Sequence, residues 1–161
     1  MRVYNVTGQN LTLANAAVSL VAIYPAATAP VIKILRMWAS QAGVTTTVQQ
    51  RVVWGTKVTA FQTVVSAEPA LVNLSDPISK IVGATTIAAG KCGINASAEG
   101  AGALTIMGGD TFSVINGWQW VFTPEDAPVL STAAAAAFTL QFPAAAATLT
   151  GWSFGITYAE I

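Results

Sequence analysis

The sequence predicts an all-β protein: a single domain, residues 1–161, folded as an antiparallel β-sandwich or jelly roll of about eight strands, with at most one or two short helical turns. Three observations support this prediction. Apolar and polar residues alternate with period two in the C-terminal third, as in strands that bury one face. Turn-forming glycine, proline and asparagine separate these stretches. The chain is 53% hydrophobic and only 9% charged, and its length suffices for one packed core.

The N-terminal part predicts three strands. Residues 2–7 and 18–24 have strand-like patterns, and the turn-forming segment Gly8-Gln9-Asn10 lies between them. Residues 31–40 are apolar on both faces, because Ile32, Ile34 and Trp38 alternate with other large apolar side chains. We therefore expect this third strand to be covered on one side by the core and on the other by a neighbouring subunit.

The middle of the chain gives weaker signals. Residues 45–54 and 56–65 are rich in β-branched residues, which favours a pair of strands around Gly55. A helix over residues 47–54 is the competing prediction.

A single helical turn is predicted over residues 78–82. Ser75-Asp76-Pro77 supplies a capping residue and a proline for the first turn. The stretch from residue 84 to residue 102 is rich in alanine and glycine, and we expect it to be a long excursion between strands.

The C-terminal third carries the clearest pattern. Residues 111–115 and 118–122 flank Asn116-Gly117, a dipeptide that suits a type I′ turn, so a tight hairpin is predicted. After a polar loop, residues 138–142 and 152–158 alternate as strands, and residues 133–137 form a compact connection. The side chains expected to face inward are Trp118, Trp120, Phe122, Phe138, Leu140, Phe142, Trp152, Phe154, Ile156 and Tyr158.

The side chains used for chemistry are scarce. Histidine is absent and the one cysteine is Cys92, so the usual general base, most metal centres and an intrachain disulfide lack their residues. Glu125 and Asp126 are adjacent in a proline-bounded loop, and they and Asp110 do not suggest the facing carboxylates of a glycosidase. We expect no enzyme activity, no catalytic residue, no cofactor and no metal.

Charge and hydropathy patterns argue against two classes of partner. The seven basic residues are scattered, whereas phosphate binding requires clustered Lys and Arg, so nucleic acid is not an expected partner. Residues 127–159 are uncharged, but Pro128, Pro143 and Gly151 interrupt them and alanine and threonine predominate. No membrane span is predicted, and the N-terminus shows no signal-sequence pattern.

A family resemblance adds a function to this pattern. The segment Gly109-Asp-Thr-Phe-Ser-Val-Ile-Asn-Gly-Trp-Gln-Trp-Val-Phe-Thr-Pro-Glu-Asp126, the strand ending at Pro143 and the segment from Trp152 to Ile161 resemble the C-terminal half of capsid decoration (cement) proteins of tailed bacteriophages. Gln49-Gln50-Arg51 is similar to a segment of such proteins too.

The resemblance implies a β-rich homotrimer without catalytic residues. It would be made in the host cytoplasm and then sit on the outer capsid surface of the virion, where it would clamp subunits of the major capsid protein. Scarce charge suits a subunit whose faces are covered by neighbours. The residues expected at its interfaces are Arg2, Val3, Tyr4, Ile32, Ile34, Arg36, Trp38 and Trp54.

Two alternatives remain open. Five tryptophans could stack on sugars, so the chain could be a carbohydrate-binding or receptor-binding head, with Trp54 as the tryptophan least obviously internal. It could also be another virion structural subunit that assembles the particle itself.

Overall fold

The structure is a computed structural model that describes residues 1–25, 31–45, 47–131 and 135–161. Over these residues it is all-β and contains no helix. The strands are β1 Arg2–Leu11, β2 Val18–Ile23, β3 Ile32–Gln41, β4 Gln49–Lys57, β5 Thr63–Ser66, β6 Ala70–Leu71, β7 Val82–Gly83, β8 Lys91–Ala98, β9 Thr105–Ser113, β10 Trp118–Val121, β11 Val129–Leu130, β12 Ala137–Phe142 and β13 Trp152–Glu160.

The strands form two packed sheets, which confirms the predicted β-sandwich. The first sheet has the order β10-β3-β13-β1-β6, with β11 also paired to β3. The second has the order β5-β8-β2-β12-β4-β9, with β7 also paired to β8. Every pair is antiparallel except β7 with β8. The jelly-roll form of the sandwich stays a prediction.

The core lies between the sheets and is rich in aromatic rings. Of the ten side chains expected to face inward, eight are buried, and Trp120 and Phe122 are the exceptions. Phe142 and Trp152 pack edge to face with their ring centroids 4.8 Å apart. Each such side chain contributes roughly 1.5–3 kcal/mol when fully buried, so these strands hold the two layers together.

The predicted hairpin at Asn116-Gly117 is wrong. β9 pairs with β4 in the second sheet, whereas β10 pairs with β3 in the first, so the turn carries the chain from one sheet to the other. Gly117 has φ of 68°, but Asn116 does not share the positive φ that a type I′ turn requires. The crossing buries Phe112 against Trp118, at 6.2 Å between centroids, a contact that a flat hairpin of this register would not make.

The two segments predicted as strands in residues 45–65 do contain β4 and β5, but the pairing of these strands around Gly55 and the competing helix are both wrong. β4 continues through Gly55 instead of turning or forming a helix, and β5 pairs with β8. A Cβ on Gly55 would collide with the carbonyl oxygen of Thr105. The glycine therefore permits close approach of β9 at a bulge, and does not mark a turn.

The helical turn expected over residues 78–82 is absent from the structure. Ser79 Oγ instead bonds to Tyr158 Oη at 2.7 Å and donates to Glu160 Oε1 at 2.6 Å, which fixes this segment against β13.

Two connections expected further along the chain also differ from the structure. The expected excursion over residues 84–102 contains β8, which lies between β5 and β2 in the second sheet. The connection expected over residues 133–137 lies partly outside the described residues, with Ala137 already in β12.

Strand β3 changes face halfway along its length. Its pairing with β13 shifts register between Tyr158–Ile34 and Thr157–Arg36, which leaves Leu35 as the extra residue of a bulge. Ile32 and Ile34 therefore point into the core with Met37, whereas Arg36 and Trp38 point outward. The expectation that Ile32, Ile34 and Trp38 share one face is wrong for this reason.

Candidate functional site: an aromatic edge of the sandwich

The two sheets meet at one open side of the sandwich, where β9 of the second sheet faces β10 of the first. Trp54 lies at the centre of this side and contacts three rings. Its centroid is 5.8 Å from that of Trp118, 5.2 Å from that of Trp120 and 6.2 Å from that of Phe122. Aromatic pairs at these distances stabilise a surface beyond the burial of their area alone.

Glycine makes room for this cluster. A Cβ on Gly108 would lie 2.5 Å from the Trp54 ring, so the indole rests directly against the β9 backbone. Trp54 is consequently only 5% exposed. It lies beneath the other rings of the cluster, and its small exposed part lines the depression described next.

The outer part of the cluster is exposed. Met107, Trp120 and Val121 are 52%, 39% and 61% exposed, and with Phe122 they line a depression of about 300 Å³. We call Met107, Trp120, Val121 and Phe122 the aromatic edge. Contiguous exposed apolar side chains of this kind are typical of protein interaction sites.

The backbone of β9 adds a second feature to the aromatic edge. β9 ends the order of its sheet and pairs on one side only, with β4, as far as the described residues show. It is nine residues long and carries one charged side chain, Asp110. Long edge strands are usually blunted by charges, prolines or covering loops, because their free N–H and C=O groups can pair with another chain.

Asp110 has a structural role at this edge. Its carboxylate accepts a hydrogen bond from Trp118 Nε1 at 3.1 Å and from the backbone N–H of Thr111 at 2.7 Å. These bonds fix the buried Trp118 across the turn between the sheets. Asp126, the other carboxylate near the aromatic edge, accepts from the Thr123 hydroxyl at 2.8 Å in its own loop.

The residues expected at interfaces divide into two groups. Tyr4, Ile32 and Ile34 are fully buried and Trp54 nearly so, because they face the core of the sandwich. Their side chains therefore have little or no surface to offer a partner in this fold. Arg2, Val3, Arg36 and Trp38 retain exposed surface, and Arg36 and Trp38 lie together on the outer face of the first sheet.

The sequence pattern missed Met107, Trp120 and Val121. The hairpin prediction placed Trp120 in the core, and Met107 belonged to no predicted strand. The available signal was the pair Ile106-Met107 beside Gly108-Gly109, a large apolar dipeptide followed by residues that cannot cover it.

A buried polar network lies on the other face of the second sheet. The Glu99 carboxylate accepts from Ser19 Oγ at 2.6 Å and from Gln141 Nε2 at 2.9 Å, and Lys57 Nζ donates to the Glu99 carbonyl. Burial lowers the pKa of Lys57, and the Glu99 charge opposes this effect. Gln62 joins the network by donating to Ser19 Oγ at 3.1 Å. These bonds tie the loops to the sheet, so we assign the network to folding.

The described residues offer neither a metal site nor a membrane-spanning helix. No group of three or more His, Cys, Asp or Glu side chains there could hold a metal ion. The same part of the chain has no helix that is long and apolar enough to span a bilayer.

Comparisons with known proteins give no family. No family model matches the sequence, no curated protein matches it, and no solved structure matches the chain.

Proposed function

We propose that this chain is a capsid decoration (cement) protein that binds the outer surface of a tailed-phage head through its aromatic edge. The carrying observation is the exposed cluster of Met107, Trp120, Val121 and Phe122 beside the free edge of β9. The partner in this proposal is the major capsid protein, the binding form is a homotrimer, and the location is the virion surface. These three terms rest on the sequence resemblance.

The physical basis of such a function is contact alone. A protein that binds the assembled shell and not its separated subunits stabilises the shell by mass action, by about 2.7 kcal/mol per site at a free concentration 100 times Kd. Aromatic and methionine side chains dominate the energetics of many interfaces. The free N–H and C=O groups of β9 could add main-chain hydrogen bonds to a strand of the partner.

The test uses particles stripped of the protein and then reconstituted. Adding the chain back should restore resistance to heat and osmotic shock, and Trp120→Ala should bind at least about tenfold more weakly. Trp38→Ala is the matched control, since Trp38 lies on the neighbouring strand β3 but points to the outer face of the first sheet and does not line the depression of the aromatic edge. Particles that are equally robust without the protein would refute the decoration function, and equal losses in both variants would refute the assigned surface.

The purified chain also distinguishes the decoration function from the alternative of a virion subunit that assembles the shell itself. A decoration protein should stay a small oligomer when expressed alone, whereas a shell-forming subunit should grow large assemblies. Light scattering of the purified chain measures this directly.

A further inference from the structure

A second surface lies on the outer face of the first sheet, on the side of β3 that points away from the core. Strand pairing across β1, β13, β3 and β10 puts two rows of side chains side by side. The first row is Asn5, Thr157, Arg36 and Val121, and the second is Thr7, Gly155, Trp38 and Gln119.

The Trp38 ring packs over Gly155, where the absence of a side chain leaves space for it. A Cβ on Gly155 would lie 2.9 Å from Trp38 Nε1 and 2.8 Å from Thr7 Cγ2. The indole therefore reaches across the bare backbone of β13 toward β1. Because the ring is half-buried, part of it remains open to solvent.

Arg36 brings a positive charge with an unsatisfied donor to the same place. Its Nε is buried, and no described residue accepts a hydrogen bond from it. A buried donor on a charged group without an acceptor is costly, so a native structure that retains one calls for an explanation.

The surroundings of Arg36 and Trp38 are polar and neutral. Arg36 and Trp38 line an open depression of about 430 Å³ together with Asn5, Thr7, Ser40, Asn116 and Gln119. None of the described residues that line it is Asp or Glu. The Thr157 hydroxyl donates to Asn5 Oδ1 at 2.7 Å, which orients the Asn5 amide and leaves its nitrogen as a donor. The depression thus combines one cation, the half-buried indole of Trp38 and several amide and hydroxyl groups, and the largely buried Trp118 also contributes to its lining.

From this combination we infer that the Arg36–Trp38 depression binds an acidic saccharide, with the sugar carboxylate on Arg36 and a sugar face against Trp38. Guanidinium pairs with carboxylate through two parallel hydrogen bonds. A carboxylate in the depression would give the Arg36 guanidinium the anionic partner that the described lining residues do not provide. The indole offers an apolar surface to the C–H face of a pyranose ring, and Asn5, Asn116 and Gln119 offer partners for its hydroxyls. A simple inorganic anion would contact Arg36 but would make no contact that requires the Trp38 ring or the amide side chains.

Val121 of the aromatic edge lies beside Arg36 in the first row, but none of the four residues of the aromatic edge lines the depression. Saccharide binding therefore does not depend on the decoration function. Trp120→Ala should leave saccharide binding unchanged, and Trp38→Ala should leave virion binding unchanged. The two variants therefore separate failure of one proposal from failure of the other.

The experiment is calorimetric titration of the purified chain with trigalacturonate, and with maltotriose as the neutral trisaccharide. We expect trigalacturonate to bind with Kd of about 1 mM or tighter, and maltotriose at least about tenfold more weakly. Raising the salt concentration should weaken the binding of trigalacturonate. These measurements use the unaltered protein and do not depend on how a variant folds.

Variants then locate the site. Arg36→Gln and Trp38→Ala should each weaken trigalacturonate binding at least about tenfold, whereas Arg51→Gln, which removes an exposed arginine from β4, should change it less than about twofold. The inference is overturned if trigalacturonate does not bind with a Kd of about 1 mM or tighter, or if maltotriose binds equally well. It is also overturned if Arg51→Gln has the same effect as Arg36→Gln, or if inorganic phosphate binds as tightly and independently of Trp38.

Discussion

At the scale of single residues, Cys92 is a thiol that the fold keeps unreactive. It is fully buried in β8 and donates to the carbonyl oxygen of Ala67 at 3.2 Å. Burial, with a smaller contribution from the Glu68 charge, raises the pKa of Cys92 to about 12, and the Lys91 charge opposes the shift. Because the thiolate is the reactive form, the native protein should react with a disulfide reagent at pH 8 far more slowly than the urea-unfolded chain.

The same shift sets a dependence of stability on pH. The pKa of the folded state lies above that of the unfolded chain, so the contribution of Cys92 is complete below about pH 9 and is lost as the pH rises toward 12. Cys92→Ala should flatten the fall in the free energy of unfolding between pH 9 and pH 11. Urea titrations at several pH values measure this, and parallel curves for the two proteins would contradict the assigned burial.

Ser79 gives a second prediction at this scale. Its hydroxyl bridges Tyr158 Oη and Glu160 Oε1, and the other Glu160 oxygen, Oε2, is buried without a partner among the described residues. Ser79→Ala should therefore lower the free energy of unfolding by about 1–3 kcal/mol, because it removes a bond to a carboxylate that is already incompletely satisfied. Ser97→Ala, at an exposed serine of β8, should change the free energy of unfolding by less than about 0.5 kcal/mol.

At the scale of strands, the glycine in β4 is a structural requirement. Gly55→Ala would drive a Cβ toward the Thr105 carbonyl oxygen, which belongs to the backbone and cannot rotate away. We expect a loss of about 1–3 kcal/mol in the free energy of unfolding, together with displacement of β9. Thr111→Ala, at an exposed position of the same strand pair, is the control, and equal urea midpoints for the two variants would show that the strands are not so close.

The strands that the sequence predicted and those it missed differ in a physical way. The segments around Phe138–Phe142 and Trp152–Tyr158 alternate without interruption, because each keeps one face in the core along its whole length. β3 breaks this rule at its bulge, so a fixed period assigns Arg36 or Ile34 to the wrong face. β8 was missed because its residues are small, and small residues suffice in a strand that has neighbours on both sides.

The contact surfaces were harder to predict for a related reason. Arg36 and Trp38 were singled out from the sequence, and they share a face by ordinary strand alternation. That this face points away from the core depends on the bulge at Leu35, and the position of the Trp38 ring depends on Gly155 in another strand. The aromatic edge depends on β9 and β10 lying in different sheets. Such relations join residues that are distant along the chain, and local periodicity carries no information about them.

At the scale of the whole molecule, the net charge is zero, since seven basic and seven acidic residues cancel. A neutral, apolar surface favours association of every kind, so a loss of binding after adding a charge does not by itself locate an interface. Two positions allow the effects to be separated. Met107 on the aromatic edge is 52% exposed, and Val72, in the loop after β6 near the opposite edge of the first sheet, is 53% exposed.

Met107→Lys and Val72→Lys each add one positive charge at an equally exposed apolar side chain. Both variants should keep the free energy of unfolding within about 0.5 kcal/mol, because neither side chain is in the core. Met107→Lys should weaken binding to stripped particles at least about tenfold, whereas Val72→Lys should bind like the unaltered chain. Co-sedimentation with particles over a range of protein concentrations measures both affinities. If the two variants lose affinity equally, then the charge of the whole molecule governs association, and the aromatic edge is not the surface that binds.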